Sequence, residues 1–343
     1  MSLRVLVVDD SPLMRRFIAD MINAQPEMEV VGTAQDGEEA IAQVNLLHPD
    51  VITLDVEMPK CSGLEALRKI MSTRPTPVIM VSTLTSHGAK ETIEALHLGA
   101  VDFVTKPTAS PIGLHKIKDE LVEKIRSTRF VRLPGKASVA VKAAATTKGA
   151  DRVVVVASST GGPRALTSLF DTLPKGFPAA MLIVQHMPPG FTKSFAARLD
   201  SCGTVPCHEA AIGDRVVPGQ ALLAPGGLHM AVGAGGEIVL NQDPPLHGVR
   251  PAADVLFMTA AKVFGARCVG AVLTGMGKDG AEGALRLRHV GGVVFGESES
   301  TCTIYGMPRA AMQVGGIDAE YPINELAQAI VASLSGVKHA RAS

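Results

Sequence analysis

Four short segments in the first 107 residues restrict the fold more than any other feature: VLVVDD (5–10), VITLDVEMP (51–59), VIMVST (78–83) and FVTKP (103–107). Each is an apolar, β-branched run that ends in a polar cluster. Such runs read as parallel strands buried between helices. So placed, they deliver Asp9, Asp10, Asp55, Ser82 and Lys106 to one edge of one sheet. Three carboxylates, a hydroxyl and an ammonium at strand C-termini suit a hard divalent metal and a phosphoryl group.

Strand-like runs near 4–8, 29–34, 51–54, 77–81 and 101–104 alternate with helical patterns. SPLMRRFIADMINAQ places Ser11 as an N-cap and Pro12 in the first turn. GEEAIAQVNLLH and SGLEALRKIMS repeat that logic, and Gly99 fits a C-cap. Five βα repeats in about 125 residues predict a doubly wound parallel sheet. Asp9, Asp10 and Asp55 repel one another until a magnesium ion joins them. Asp55 ends the central strand and is placed to act as nucleophile toward a phosphoryl donor. Lys106 then pairs with the phosphoryl charge, and Ser82 hydrogen-bonds it.

The chain has 343 residues, and that length predicts two domains. Its net charge is zero, which gives no electrostatic footprint for nucleic acid or an anionic membrane. Aromatic residues make up 3% with no Trp, against a base-stacking platform. The five cysteines form no CxxC pair and read as reduced cytosolic thiols. MSLRVLVVDDS turns acidic after a short apolar run, unlike a signal peptide. No apolar stretch approaches the roughly 18 residues that span a bilayer. The expected location is the cytoplasm.

The first domain is expected over 1–125, a linker over 126–150 and a second domain over 151–340. RFVRLPGKASVAVKAAATTKGA (129–150) carries five basic residues and no acid, has no sustained period, and reads as a tether. RVVVVASSTGGPRALTSLFDTL then spells strand, tight turn and helix. Ser159 falls at the strand-to-helix corner and Thr160 at the helix N-terminus, where backbone N–H groups favour developing negative charge. The corner is similar to a nucleophile elbow without the GxSxG pattern. It is also similar to a phosphate cradle, though neither GxGxxG nor GxxxxGK[ST] is present. Ser158 is the competing nucleophile.

A nucleophilic serine needs a base and an orienting acid. His186 follows the run AAMLIVQ, and Asp279 lies in the loop after VGAVL. Ser159, His186 and Asp279 thus all lie just beyond apolar strands, where an open α/β sheet gathers side chains. The other histidines fit less well. His208 lies in a polar irregular stretch, His247 follows DPP, His229 begins a strand and His289 falls in a helix. The order Ser, His, Asp differs from that of α/β-hydrolases.

VDD, LDxxMP, a hydroxyl residue after the fourth strand-like run and KP after the fifth make residues 1–125 resemble the receiver domain of two-component response regulators. The resemblance implies that Asp55 is the phospho-acceptor and that Asp9 and Asp10, with Asp55, hold Mg2+. Ser82 and Lys106 would read the phosphoryl group. Phe103 falls at the aromatic switch position, where it lacks the hydroxyl of a tyrosine. ASSTGGPRAL, VQHMPPGFT, LLAPGGLHM, VLTGMGKDGAEG and the Cys302-to-Pro308 stretch make residues 152–335 resemble the chemotaxis protein-glutamate methylesterases.

Together these imply two doubly wound parallel-sheet α/β domains, a flavodoxin-like receiver followed by a Rossmann-like methylesterase domain. They imply phosphorylation-regulated hydrolysis of glutamate methyl esters on chemoreceptors, with glutamine deamidation as a second activity. Ser159 would attack, His186 would move the proton, and Asp279 would orient the imidazole. Thr160 and the Met276 N–H would support the oxyanion. Lys278 stands where some members carry Asn. The implied partners are methylated chemoreceptors and a chemotaxis histidine kinase, with no nucleic acid and no membrane insertion. Mg2+ serves the receiver, and ester hydrolysis needs no cofactor. In the family reading, the unphosphorylated receiver partly covers the catalytic cleft. A DNA-binding output domain is the rival reading, but no basic helix or helix-turn-helix pattern follows residue 150. A degenerate esterase used as a scaffold is a third, against which the chain keeps all three triad candidates.

Overall fold

A computed structural model describes residues 2–83, 85–106, 111–131, 152–203 and 205–335. Pro107 and the expected linker beyond residue 131 lie outside them. The chain divides into two compact units, Met1–Leu133 and Pro134–Ser343.

The first unit alternates strands and helices. Its strands are β1 (Leu3–Val8), β2 (Met28–Ala34), β3 (Val51–Asp55), β4 (Val78–Ser82) and β5 (Asp102–Thr105). The helices are α1 (Pro12–Asn23), α2 (Gly37–Leu47), α3 (Gly63–Thr73), α4 (Ser86–Leu98) and α5 (Pro111–Ser127). The sheet runs β2-β1-β3-β4-β5, parallel throughout. That order places a topological switch point between β1 and β3. Local chemistry sets the helix starts. Ser11 Oγ accepts the Met14 N–H at 3.4 Å. Asp36 accepts the Glu39 N–H at 2.9 Å, and Ser62 with Glu65 closes a capping box. Gly99, at φ 113°, ends α4 in the left-handed region.

The second unit carries β6 (Val153–Ser158), β7 (Ala180–Gln185), β8 (Cys207–Glu209), β9 (Ala221–Leu223), β10 (His229–Val232), β11 (Ile238–Asn241), β12 (Cys268–Val272), β13 (Val293–Glu297) and β14 (Ala319–Tyr321). Its helices are α6 (Gly162–Thr172), α7 (Phe191–Cys202), α8 (Ala253–Phe264), α9 (Ala281–His289), α10 (Met307–Gln313) and α11 (Ile323–Leu334). Seven strands form one parallel sheet in the order β14-β13-β12-β6-β7-β9-β8, and β10 pairs with β11 as an antiparallel hairpin. The chain leaves β6 on one side, toward β7, and returns on the other through β12. The crevice of such a sheet opens at that reversal.

The central strands β6, β7 and β12 are buried from end to end, as near-continuous apolar runs must be in a covered parallel sheet. Leu256 and Phe257 of α8 and Ala284 and Leu287 of α9 join Val155, Leu182 and Val272 in one core. One expectation fails here. His208 lies on the edge strand β8, not in irregular chain. Three residues are too few to show a period, so β8 left no signal.

Phe257 is fully buried in this core. Phe257→Ala should cost about 3–5 kcal/mol in urea unfolding of the second unit. A loss under about 1 kcal/mol would mean the α8–sheet packing described here is wrong.

Candidate active site and acidic cluster

Ser159 sits at the corner between β6 and α6, held by three backbone anchors. Its N–H donates to Thr274 O at 3.1 Å, and its carbonyl accepts the Gly162 N–H at 2.7 Å and Gln185 Nε2 at 3.0 Å. The turn passes through Gly161 at φ 78°, a left-handed backbone that glycine adopts without strain. A Cβ on Gly275 would lie 2.8 Å from Ser159 Cβ, so only glycine lets the two loops meet. The two serines now separate. Ser158 is fully buried, its hydroxyl 2.8 Å from Gln185 Oε1 and 3.2 Å from Val184 O. Ser159 is half-buried, one residue beyond the C-terminal end of β6.

His186 follows β7, and its Nε2 lies 2.8 Å from Asp279 Oδ2. An ionised carboxylate only accepts, so Nε2 carries the proton and Nδ1 is left free to act as base. Asp279 accepts three further bonds: from the Ala253 N–H at 2.6 Å, the Asp254 N–H at 3.0 Å and the Gly280 N–H at 3.0 Å. Burial raises the Asp279 pKa, but the bond from His186 and the α8 amides outweigh it and hold the carboxyl below the usual range. Lys278 beside it is exposed and leaves the Asp–His contact intact. The Ser159 hydroxyl has no hydrogen-bond partner among the described residues. Contacts of this kind often close only when substrate binds.

Met276 is half-buried in the loop after β12, and its N–H donates to none of the described residues. Thr160 is buried beside the nucleophile, and its carbonyl accepts from Thr274 Oγ1 at 3.0 Å. Sequence reasoning missed what supports these groups. The Thr274 N–H donates to Glu297 Oε2 at 2.9 Å, and Thr301 Oγ1 donates to Oε1 at 3.0 Å. Burial of Glu297 pushes its carboxyl up to about 7, against those two bonds. Glu297 closes the apolar run VVFGE of β13, the same signal that marked Asp55. Also missed was the bond from His247 Nε2 to Asp254 Oδ2 at 2.8 Å, made across a loop with no periodic pattern.

The first unit gathers its acids as expected. One side-chain oxygen from each of Asp9, Asp10 and Asp55 lies within 4.8 Å of the others. Lys106 Nζ lies 2.6 Å from Asp55 Oδ2 and 3.0 Å from Asp9 Oδ2. Burial pushes Asp55 up to about 6; Lys106 opposes this, and the Asp9 charge adds to it. Asp9 Oδ2 is buried without a hydrogen bond of good geometry, despite the nearby ammonium. An orphaned carboxylate oxygen among three acids fits a hard divalent cation. The Ser82 hydroxyl is bonded to the start of α4. Its Oγ lies 3.3 Å from Gly88 O and 2.7 Å from Thr92 Oγ1. Thr92 is a buried hydroxyl on the apolar face of α4, which its sequence position alone did not mark. Phe103 is buried in β5, with Lys124 Nζ 5.4 Å from its ring centre.

The CheB methylesterase family matches residues 154–330, and the response regulator receiver domain matches residues 5–118. A protein-glutamate methylesterase/protein-glutamine glutaminase of Pyrococcus abyssi is 47% identical, aligning 98% of this chain with 95% of its own. The chain belongs to the CheB methylesterase family. A Thermotoga maritima relative of the same name is 44% identical over 96% of this chain and 98% of its own. The crystal structure of the Thermotoga maritima CheB methylesterase catalytic domain superposes with a TM-score of 0.52 and 40% identity. It covers 54% of this chain and 99% of that one. Ser159, His186 and Asp279 all fall inside the CheB methylesterase match, and the acidic cluster falls inside the receiver match. No described helix is long and apolar enough to cross a membrane.

Folding lowers the Asp279 pKa, so its contribution to stability is full above the ordinary carboxylate value of about 3.9 and fades as the pH falls below it. The stability gap between the native chain and Asp279→Asn should therefore narrow between about pH 5 and about pH 2. Denaturant titrations across that range check this; a gap independent of pH contradicts the ionised, caged Asp279.

Proposed function

We propose that this chain hydrolyses glutamate methyl esters on cytoplasmic chemoreceptor segments, releasing methanol, and that phosphorylation of Asp55 sets the rate. The observation that carries the reading is the His186–Asp279 bond of 2.8 Å beside the half-exposed Ser159. We assign the receiver to residues 1–125, the tether to 126–150 and the esterase to 151–340.

Ser159 Oγ attacks the ester carbonyl as its proton passes to His186 Nδ1. The Met276 N–H and the N-terminal end of α6 stabilise the oxyanion, usually the largest electrostatic contribution in acyl transfer. Thr160 holds the corner beside the nucleophile. Asp279 stabilises the imidazolium through Nε2. The C–O bond to methanol then breaks, and methanol leaves with the proton from Nδ1. Water, deprotonated by the same nitrogen, cleaves the acyl-serine and restores Ser159. Glutamine deamidation follows the same steps with ammonia as the leaving group. The name shared by the relatives supports that second activity. No step needs a cofactor.

In the receiver, Asp55 takes a phosphoryl group from a histidine kinase. The phosphorus–nitrogen bond of the donor breaks as a phosphorus–oxygen bond forms on Asp55. Asp9, Asp10 and Asp55 would hold Mg2+, which when bound offsets the charge of the acids and the phosphoryl oxygens. Lys106 shifts from carboxylate to phosphoryl oxygen, and Ser82 leaves Gly88 O and Thr92 to donate to it.

Ser159→Ala should lower methanol release from methylated receptor at least about 1,000-fold, while Ser158→Ala keeps most of it. The reverse pattern would identify Ser158 as the nucleophile. Asp55→Asn should keep basal esterase activity and lose its stimulation by a small phosphodonor with Mg2+. Stimulation that survives the substitution rules Asp55 out as the acceptor.

A further inference from the structure

Behind the triad lies a second His–Asp pair. Asp254 is the second residue of α8 and fully buried. Its Oδ2 lies 2.8 Å from His247 Nε2, and its Oδ1 accepts the Gly283 N–H of α9 at 2.7 Å. Asp279, just before α9, accepts the first two amides of α8. Each helix N-terminus is therefore capped by the acid of the other, and neither has a side-chain cap of its own. One side-chain atom from each of His247, Asp254 and Asp279 lies within 4.8 Å of the others. Two buried carboxylates this close disfavour joint ionisation unless each is well hydrogen-bonded. His186 and the α8 amides donate to Asp279, and His247 and the Gly283 N–H donate to Asp254.

We propose that His247 and Asp254 are positioning residues for the triad: the His247–Asp254 pair fixes Asp279 through the exchanged caps and screens it from an uncompensated negative charge. This rests on the esterase reading above. Burial and the Asp279 charge push the Asp254 carboxyl up, against the Gly283 and His247 bonds. Of the other charged groups on α8, α9 and the loop before α9, Lys262, Lys278, Glu282, Arg286 and His289 are exposed, and Arg288 pairs with Asp318. Arg250 bonds the carbonyls of Gln242 and Asp243, and Asp243 is exposed. His229 accepts the Ala252 N–H at Nδ1 and meets Pro244 O at Nε2, so it is the neutral tautomer.

The test is the pH profile of kcat/KM for methanol release. His247 sits at φ 54°, a left-handed backbone that Asn tolerates, so His247→Asn removes the imidazole with little strain. Asp254 then stands beside the site without its partner, the added negative potential favours protonation there, and the acid limb of the profile should move up by ~0.5–1 pH unit. kcat/KM below the limb should fall about 3–10-fold, mostly in kcat. The double variant His247→Asn, Asp254→Asn removes the stray charge, keeps an acceptor for the Gly283 N–H, and should return the limb toward its native position. A merely structural role lowers activity equally at all pH values and leaves the limb in place. An unmoved limb in His247→Asn, or no return in the double variant, overturns the proposal. A native chain that releases no methanol would instead sink the esterase reading itself.

Discussion

The exchange of caps between α8 and α9 is the interaction on which the proposed chemistry of the second unit depends. A helix N-terminus leaves its first amides without partners, and burial makes that costly. Here the first amides of α8 are met by Asp279, and Gly283 of α9 is met by Asp254. Asp279 is thereby locked in place by groups that have no catalytic duty. With the Gly280 N–H taking a third lone pair, the fourth is left for His186. A catalytic carboxylate needs orientation more than basicity, and a structural cap supplies it without a dedicated loop.

The first unit uses a different economy. Three acids gather at the β1/β3 switch point, and one ammonium from β5's end, Lys106, holds two of them. The repulsion left over, felt as a raised Asp55 and an unsatisfied Asp9 oxygen, makes the cluster ready for positive charge. Ser82 is bonded to Gly88 O and Thr92, so a bond from it to a phosphoryl group on Asp55 competes with its contact to Gly88 O.

The strands were legible because buried parallel strands are apolar on both faces, and all five runs read in the first unit lie within two residues of the observed strands. Ser159, His186 and Asp55 were legible for a related reason: each stands at or one residue beyond the end of such a run, and Asp279 lies in the loop that follows one. Most of what escaped detection lacked that marker. His247 lies on an irregular loop, Asp254 is inside a helix, and their pairing depends on where α8 docks. Thr92 and Thr274 act through hydroxyls or amides buried by tertiary packing. Strand β8 and the hairpin partner β11 are too short to carry a period. Glu297 did carry the marker, since it closes β13, and shows that a strand-end acid can support a site without entering the reaction.

The central claim is that a phosphoryl group on Asp55 controls ester hydrolysis at Ser159. The most direct measurement follows aspartyl phosphate and methanol release together, in one sample of full-length chain with methylated receptor, after a pulse of small phosphodonor and Mg2+. The account predicts that the methanol rate rises with the phosphoryl level and relaxes as the aspartyl phosphate hydrolyses. A methanol rate that stays constant while the phosphoryl level rises and falls would contradict it.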